Sequence, residues 1–153
     1  MPVPPITTGP VRWHEEAVDG GVALANGLGE VVWLPASWPF PNVEPDYLLM
    51  TGPSGEGGYQ VRSRDSDAKR LLVILGSRRT AGGGLENGLE SLLGEPFETL
   101  AKSGGGQTHV VVRMPGFDVH VMGNVTMPHA LAAARALEAV APSGEGPWEG
   151  DNQ

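Results

Sequence analysis

The stretch from Thr108 to Met122 constrains this chain more than any other, because its alternation of side chains fits an antiparallel β-hairpin. Two runs, Thr108 to Met114 and Phe117 to Met122, flank Pro115-Gly116. Proline presets the first turn dihedral and glycine supplies a positive φ at the second, as a type II turn requires. Pairing about that turn sets Met114 opposite Phe117, Val112 opposite Val119 and Val110 opposite Val121, all apolar and all on one face. The other face pairs Arg113 with Asp118, Val111 with His120 and His109 with Met122. The register therefore predicts one buried face, under or beside Leu131 and Leu137, and one solvated face. Type II turns match hairpin twist less well than primed turns, so a wider loop closed by Arg113 and Asp118 is an alternative that keeps the register.

A helix is expected directly after the hairpin, from Met127 to Ala141. Thr126 suits the N-cap, Pro128 sits in the first turn where its missing N–H costs nothing, and Pro142 stops the run. Met127, Ala130, Leu131, Ala134, Leu137, Val140 and Ala141 fall on one arc of it. Upstream, Val22 to Ala25, Glu30 to Leu34, Tyr47 to Met50, Tyr59 to Ser63 and Leu71 to Leu75 read as strands between turn residues. Leu71 to Leu75 is continuously apolar, as in a central strand covered on both faces. Leu85, Leu89, Leu92 and Leu93 recur at helical spacing before Gly94, although Gly88 weakens that middle helix. The fold class that follows is α+β, an antiparallel sheet with a C-terminal helix and a short middle helix packed on one face.

A chain of 153 residues is long enough for one domain with a real core. Met1 to Pro10, with its prolines, reads as an extended arm, residues 11–141 as the single domain, and residues 142–153 as a mobile acidic tail rich in Gly and Pro. The 23 Gly and 14 Pro favour long loops and an antiparallel sheet over a helix bundle. A net charge of −8 with only ten Lys and Arg argues against a nucleic-acid partner, which needs clustered cations to displace counterions. The nearest approach to a cluster, Arg62, Arg64, Lys69 and Arg70, is interrupted by Asp65 and Asp67. The absence of Cys excludes disulfides, cysteine nucleophiles and thiolate metal sites. No apolar run has the length of a membrane span, and Met1 to Pro10 lacks the features of a signal peptide.

Catalytic patterns fare poorly. Ser66-Asp67-Ala68-Lys69 matches S-x-x-K, in which a lysine helps to activate a serine, but no companion K-T-G follows it. Gly52-Pro53-Ser54-Gly55 does not form a nucleophile elbow. Neither Gly82-Gly83-Gly84 nor Gly104-Gly105-Gly106 continues into a phosphate-binding motif, and Gly27-Leu28-Gly29 leads into a strand, so all three read as flexible loops. Glu15-Glu16 and the Glu95, Glu98 spacing are those of solvated carboxylates. These absences favour a role other than that of an enzyme.

Two groups of residues suggest binding. On the outer hairpin face His109 lies opposite Met122 with His120 on a diagonal, and Met127 and His129 follow a few residues on. Imidazole with thioether suits Cu(I), a soft ion, so a copper-binding protein using His109, His120 and Met122 is the alternative function. The segment Trp33-Leu34-Pro35-Ala36-Ser37-Trp38-Pro39-Phe40-Pro41 could dock an extended partner through Trp33, Trp38 and Phe40. Aromatics beside prolines also close the end of a sheet by packing over it, and that reading is preferred.

The order of features from Val31 to Ala141 resembles small extracytoplasmic domains of unknown function in actinobacterial lipoprotein-like and anti-sigma-factor-associated proteins. A strand leads to Leu34-Pro35-Ala36-Ser37-Trp38, similar to an LP-x-G-W segment with serine in place of glycine. Strands at Gly58-Tyr59-Gln60-Val61 and Leu71-Leu72-Val73-Ile74 follow, and Val119 to Gly123 leads into the closing helix. The resemblance implies a non-catalytic domain that binds or senses something at the cell envelope. No catalytic residues or cofactor come with it.

Overall fold

The computed structural model describes residues 14–38, 45–52, 57–64, 69–78 and 89–143. In chain order these form β1 (His14–Val18), α1 (Gly21–Leu28), β2 (Val32–Pro35), β3 (Asp46–Thr51), β4 (Gly57–Arg64) and β5 (Leu71–Arg78). Then come β6 (Glu90–Leu92), β7 (Thr99–Gly104), β8 (Gln107–Met114), β9 (Phe117–Gly123), α2 (Met127–Arg135) and β10 (Leu137–Val140). One antiparallel sheet of eight strands runs in the order β1-β3-β4-β5-β9-β8-β7-β6, and β10 pairs with β2 in a second sheet of two. The architecture is α+β with an antiparallel sheet, as the alternating patterns predict. The arm, residues 144–153 of the tail and the 79–88 segment with Gly82-Gly83-Gly84 lie outside the described residues, as do Pro53-Ser54-Gly55 and Ser66-Asp67-Ala68.

The β8–β9 hairpin adopts the expected register, residue for residue from Thr108↔Gly123 to Met114↔Phe117. Gly116 has φ 84, the left-handed value that the second turn position needs, and the wider loop is not used. Val110, Val112, Met114, Phe117, Val119 and Val121 are all buried. Leu131 and Leu137 pack against the same cluster. Arg113 donates from Nε to Asp118 Oδ1 at 3.2 Å across the other face.

Five expectations are corrected. Val22 to Ala25 is not a strand but part of α1, because Leu24, Ala25 and Leu28 turn one helical face to the core. Gly29 ends that helix at φ 73, its N–H donating to Ala25 O, a left-handed cap that glycine adopts freely. The middle helix is absent where the chain is described: Glu90–Leu92 is β6, paired with β7, and the Leu93 side chain is 93% exposed. The C-terminal helix stops at Arg135 instead of Ala141. Ala136 caps it, and Leu137–Val140 pairs antiparallel with Val32–Pro35, so strand pairing overrides the helix-forming tendency of Leu-Glu-Ala. Finally, Leu71 to Leu75 belongs to a central strand, but only Leu72 and Ile74 are buried; Leu71, Val73 and Leu75 are half-buried on the other face. The Gly105-Gly106 pair, expected in a flexible loop, makes the β7–β8 turn with φ 62 and 81, the positive values that two-residue hairpin turns favour.

Both helices and the small sheet contribute to one core on the inner face of the large sheet. Its centre is an exchange between two paired residues, Tyr59 and Gly76. The Tyr59 ring lies across Gly76, where a Cβ would come within 2.1 Å of it, and meets Phe117 edge-on at 5.4 Å between ring centres. The phenol reaches the small sheet, donating to Trp33 O at 2.7 Å and accepting from Trp33 N at 3.1 Å. Tyr59 thus offers Trp33 the donor and acceptor that a neighbouring strand would supply.

Candidate functional site

The register places a second set of residues on the outer face of the large sheet, away from the helices. Following the strand pairs, Ala17, Leu48, Gln60, Leu75, His120, Val111 and Leu100 form one transverse row. Beside it runs Asp46, Arg62, Val73, Met122, His109 and Lys102. An antiparallel sheet with its core on one face ordinarily turns polar residues to the other. Here Val111 is wholly buried on the outer face, and Leu48, Leu75, Leu100, Val73 and Met122 are half-buried. The face expected to be solvated interleaves these apolar side chains with polar ones.

His109 and His120 meet within this surface. Nε2 of His109 lies 2.8 Å from Nδ1 of His120, one nitrogen donating and the other accepting. The ring centres are 5.0 Å apart and the planes differ by 31°. Met122 is the direct cross-strand partner of His109 and follows His120 by two residues on the same strand. Directly opposed residues carry their Cβ atoms about 5 Å apart, so the Met122 side chain leaves the sheet beside that of His109. Among the described residues no three His, Asp or Glu side chains gather where they could hold a metal; what meets here is a pair of imidazoles, with a thioether side chain at the neighbouring register position. The longer set that includes Met127 and His129 is not brought together. Both are on α2, which packs against the inner side of β8 and β9, so the sheet separates them from His109 and His120.

Two strands away, the outer face has a dimple of about 240 Å³ lined by Met50, Gly58, Gln60, Leu75, Gly76 and Ser77. It exists because Gly58 presents no side chain between Met50 and Ser77 in its row. Gln60 forms one wall, its Oε1 accepting from Arg62 Nε and its Nε2 lying 3.9 Å from Met50 Sδ. Neither the dimple nor the apolar row was anticipated from sequence. The available signal was the unbroken apolar composition of Leu71–Leu75 and Val110–Val112, which alternation into a single core leaves half unexplained.

The aromatic segment lies elsewhere. Trp33 sits on β2, donates from Nε1 to Pro115 O at 3.3 Å and tilts against Phe97 at 6.5 Å. Trp38 packs against the core and lines a hollow of about 250 Å³ with Val22, Leu34, Tyr47 and Val140. Both behave as residues that close the end of the fold; Phe40 lies outside the described residues. Among the described residues no helix is long and apolar enough to cross a membrane. No family model matches the chain, and no curated protein or solved structure matches it.

Proposed function

We propose that this chain is a non-catalytic binding domain that works through the outer face of its large sheet. The supporting observation is the set of part-exposed apolar side chains, Leu48, Met50, Leu75 and Leu100, on a sheet face where polar residues belong. Its occupant is a protein segment that presents apolar side chains, one of which seats over Gly58. A hollow of about 240 Å³ is smaller than the usual small-molecule pocket of roughly 300 Å³ or more, and it has the scale of a single large side chain. Placement at the cell envelope belongs to the same proposal and rests on the resemblance in the order of features from Val31 to Ala141; fractionation of cells expressing the native gene tests it.

Peptides displayed in random libraries, selected on the chain and then challenged with a Leu48→Lys, Met50→Lys double variant, test the binding surface. Selected peptides should share an apolar anchor and lose binding to the variant. A polar consensus, or binding that the two lysines leave unchanged, would overturn the proposal.

A further inference from the structure

We infer that His109, His120 and Met122 form a Cu(I) site on the outer sheet face. The site goes beyond the docking role; the two share the outer face and Leu75, which lines the dimple and is the cross-strand neighbour of His120. The three residues come from two neighbouring strands whose register is set by an eight-stranded sheet, and the two imidazoles already face each other, so Met122 has only to turn its side chain toward them. Facing imidazole nitrogens 2.8 Å apart, with metal–nitrogen bonds of about 2.0 Å, subtend close to a right angle at a shared ion. Opening the pair to about 3.3 Å gives a tetrahedral angle at the same bond length, a displacement within reach of side-chain rotation alone. Coordination through both facing nitrogens moves the proton between them to the outer nitrogen of the ring that held it. A neutral pair therefore releases no net proton.

The chemistry of the cluster selects the ion. Two neutral imidazoles and a thioether bring no negative charge, and thioether sulfur prefers soft ions, Cu(I) above all in this group. The surroundings favour a single positive charge over a double one. Val73, Leu75 and Val111 are the cross-strand neighbours of Met122 and His120, and burying charge among apolar groups is costly. Zn(II), which in structural sites closes a tetrahedron of four protein ligands, finds three here.

Anaerobic titration of the full chain with Cu(I), in competition with a chromophoric chelator, decides the matter. One ion per chain should bind with submicromolar affinity. Met122→Leu, which keeps the side-chain volume, should weaken binding by about tenfold or more, since even the outer partners of metal ligands carry that much. The His109→Ala, His120→Ala double variant should bring affinity down to that of a peptide lacking both residues. Leu48→Lys with Met50→Lys should leave copper binding intact, which separates failure of this site from failure of the docking surface. Binding no tighter than micromolar, unchanged affinity in Met122→Leu, or equal affinity for Zn(II) overturns the inference. If the histidine variant fails to fold, Met122→Leu alone carries the decision.

Discussion

Replacing Tyr59 by Phe isolates the contact that joins the two sheets. The ring stays, and with it the packing across Gly76 and the edge-on contact with Phe117. What goes is the hydroxyl that both donates to Trp33 O and accepts from Trp33 N. Each net hydrogen bond is worth about 1 kcal/mol, and leaving a partly buried N–H and C=O without partners adds a similar amount, for about 3 kcal/mol in all. In a domain of this size that corresponds to a fall in Tm of about 6–12 °C. Urea unfolding followed by tryptophan fluorescence should show a lower midpoint with an unchanged slope. A loss under about 1 kcal/mol would refute the reasoning, because water would then serve the Trp33 backbone as well as the phenol does.

The same residue predicts a pH dependence. Burial, opposed by the hydrogen bond to Trp33, holds the Tyr59 phenol well above the ordinary tyrosine value; its stabilisation is complete below about pH 10, where the unfolded tyrosine ionises, and is lost as pH rises beyond that. The native chain should therefore lose more stability than Tyr59→Phe between about pH 9 and pH 11, and parallel losses would count against a buried neutral phenol. Gly76→Ala should cost about 3 kcal/mol or prevent folding, since its Cβ would overlap a ring tethered at its far end; a melting temperature equal to the native one would contradict the packing described. Thr126 accepts from His129 N at the start of α2, so Thr126→Ala should lower stability by about 1 kcal/mol in the same urea assay, with no change expected if the cap is idle. The Arg135 guanidinium hydrogen-bonds Glu95 and holds its carboxyl below the usual range. That stabilisation is present above the ordinary glutamate value and disappears as pH falls, so native and Glu95→Gln melting curves should converge in acid.

How far the sequence could be read depended on how many residues each pattern spanned. The β8–β9 register was legible to single pairs because period-two alternation on both sides of Pro115-Gly116 leaves one arrangement that buries Val110, Val112 and Val119 together. From that register alone His109 and His120 fell on a diagonal, and they do meet. Helix α1 was illegible because Val22 to Ala25 is too short to separate two periods, and the decisive third residue, Leu28, lies beyond it. Leu137 and Val140 fit the arc of a helix as well as a short strand, and only the distant β2 decides between them. The side of the sheet taken by α2 is not encoded in its own amphipathic pattern. For that reason Met127 and His129 could be grouped with His109 and His120 in sequence yet lie across the sheet from them.

The pairing of β10 with β2 joins distant segments and is continued by Ser143 N donating to Asn26 Oδ1, 117 residues away. A ribosome adding about 5–20 residues per second takes on the order of ten seconds to make that stretch. Throughout that interval Val32 and Leu34, later buried, lack the strand that pairs with them, and α1 lacks the segment that ties its last turn to the chain beyond β10. The small sheet is therefore completed only when β10, the last of the described strands, has been made. A nascent chain halted before Leu137 would present an open apolar edge to whatever chaperones or neighbouring chains it meets.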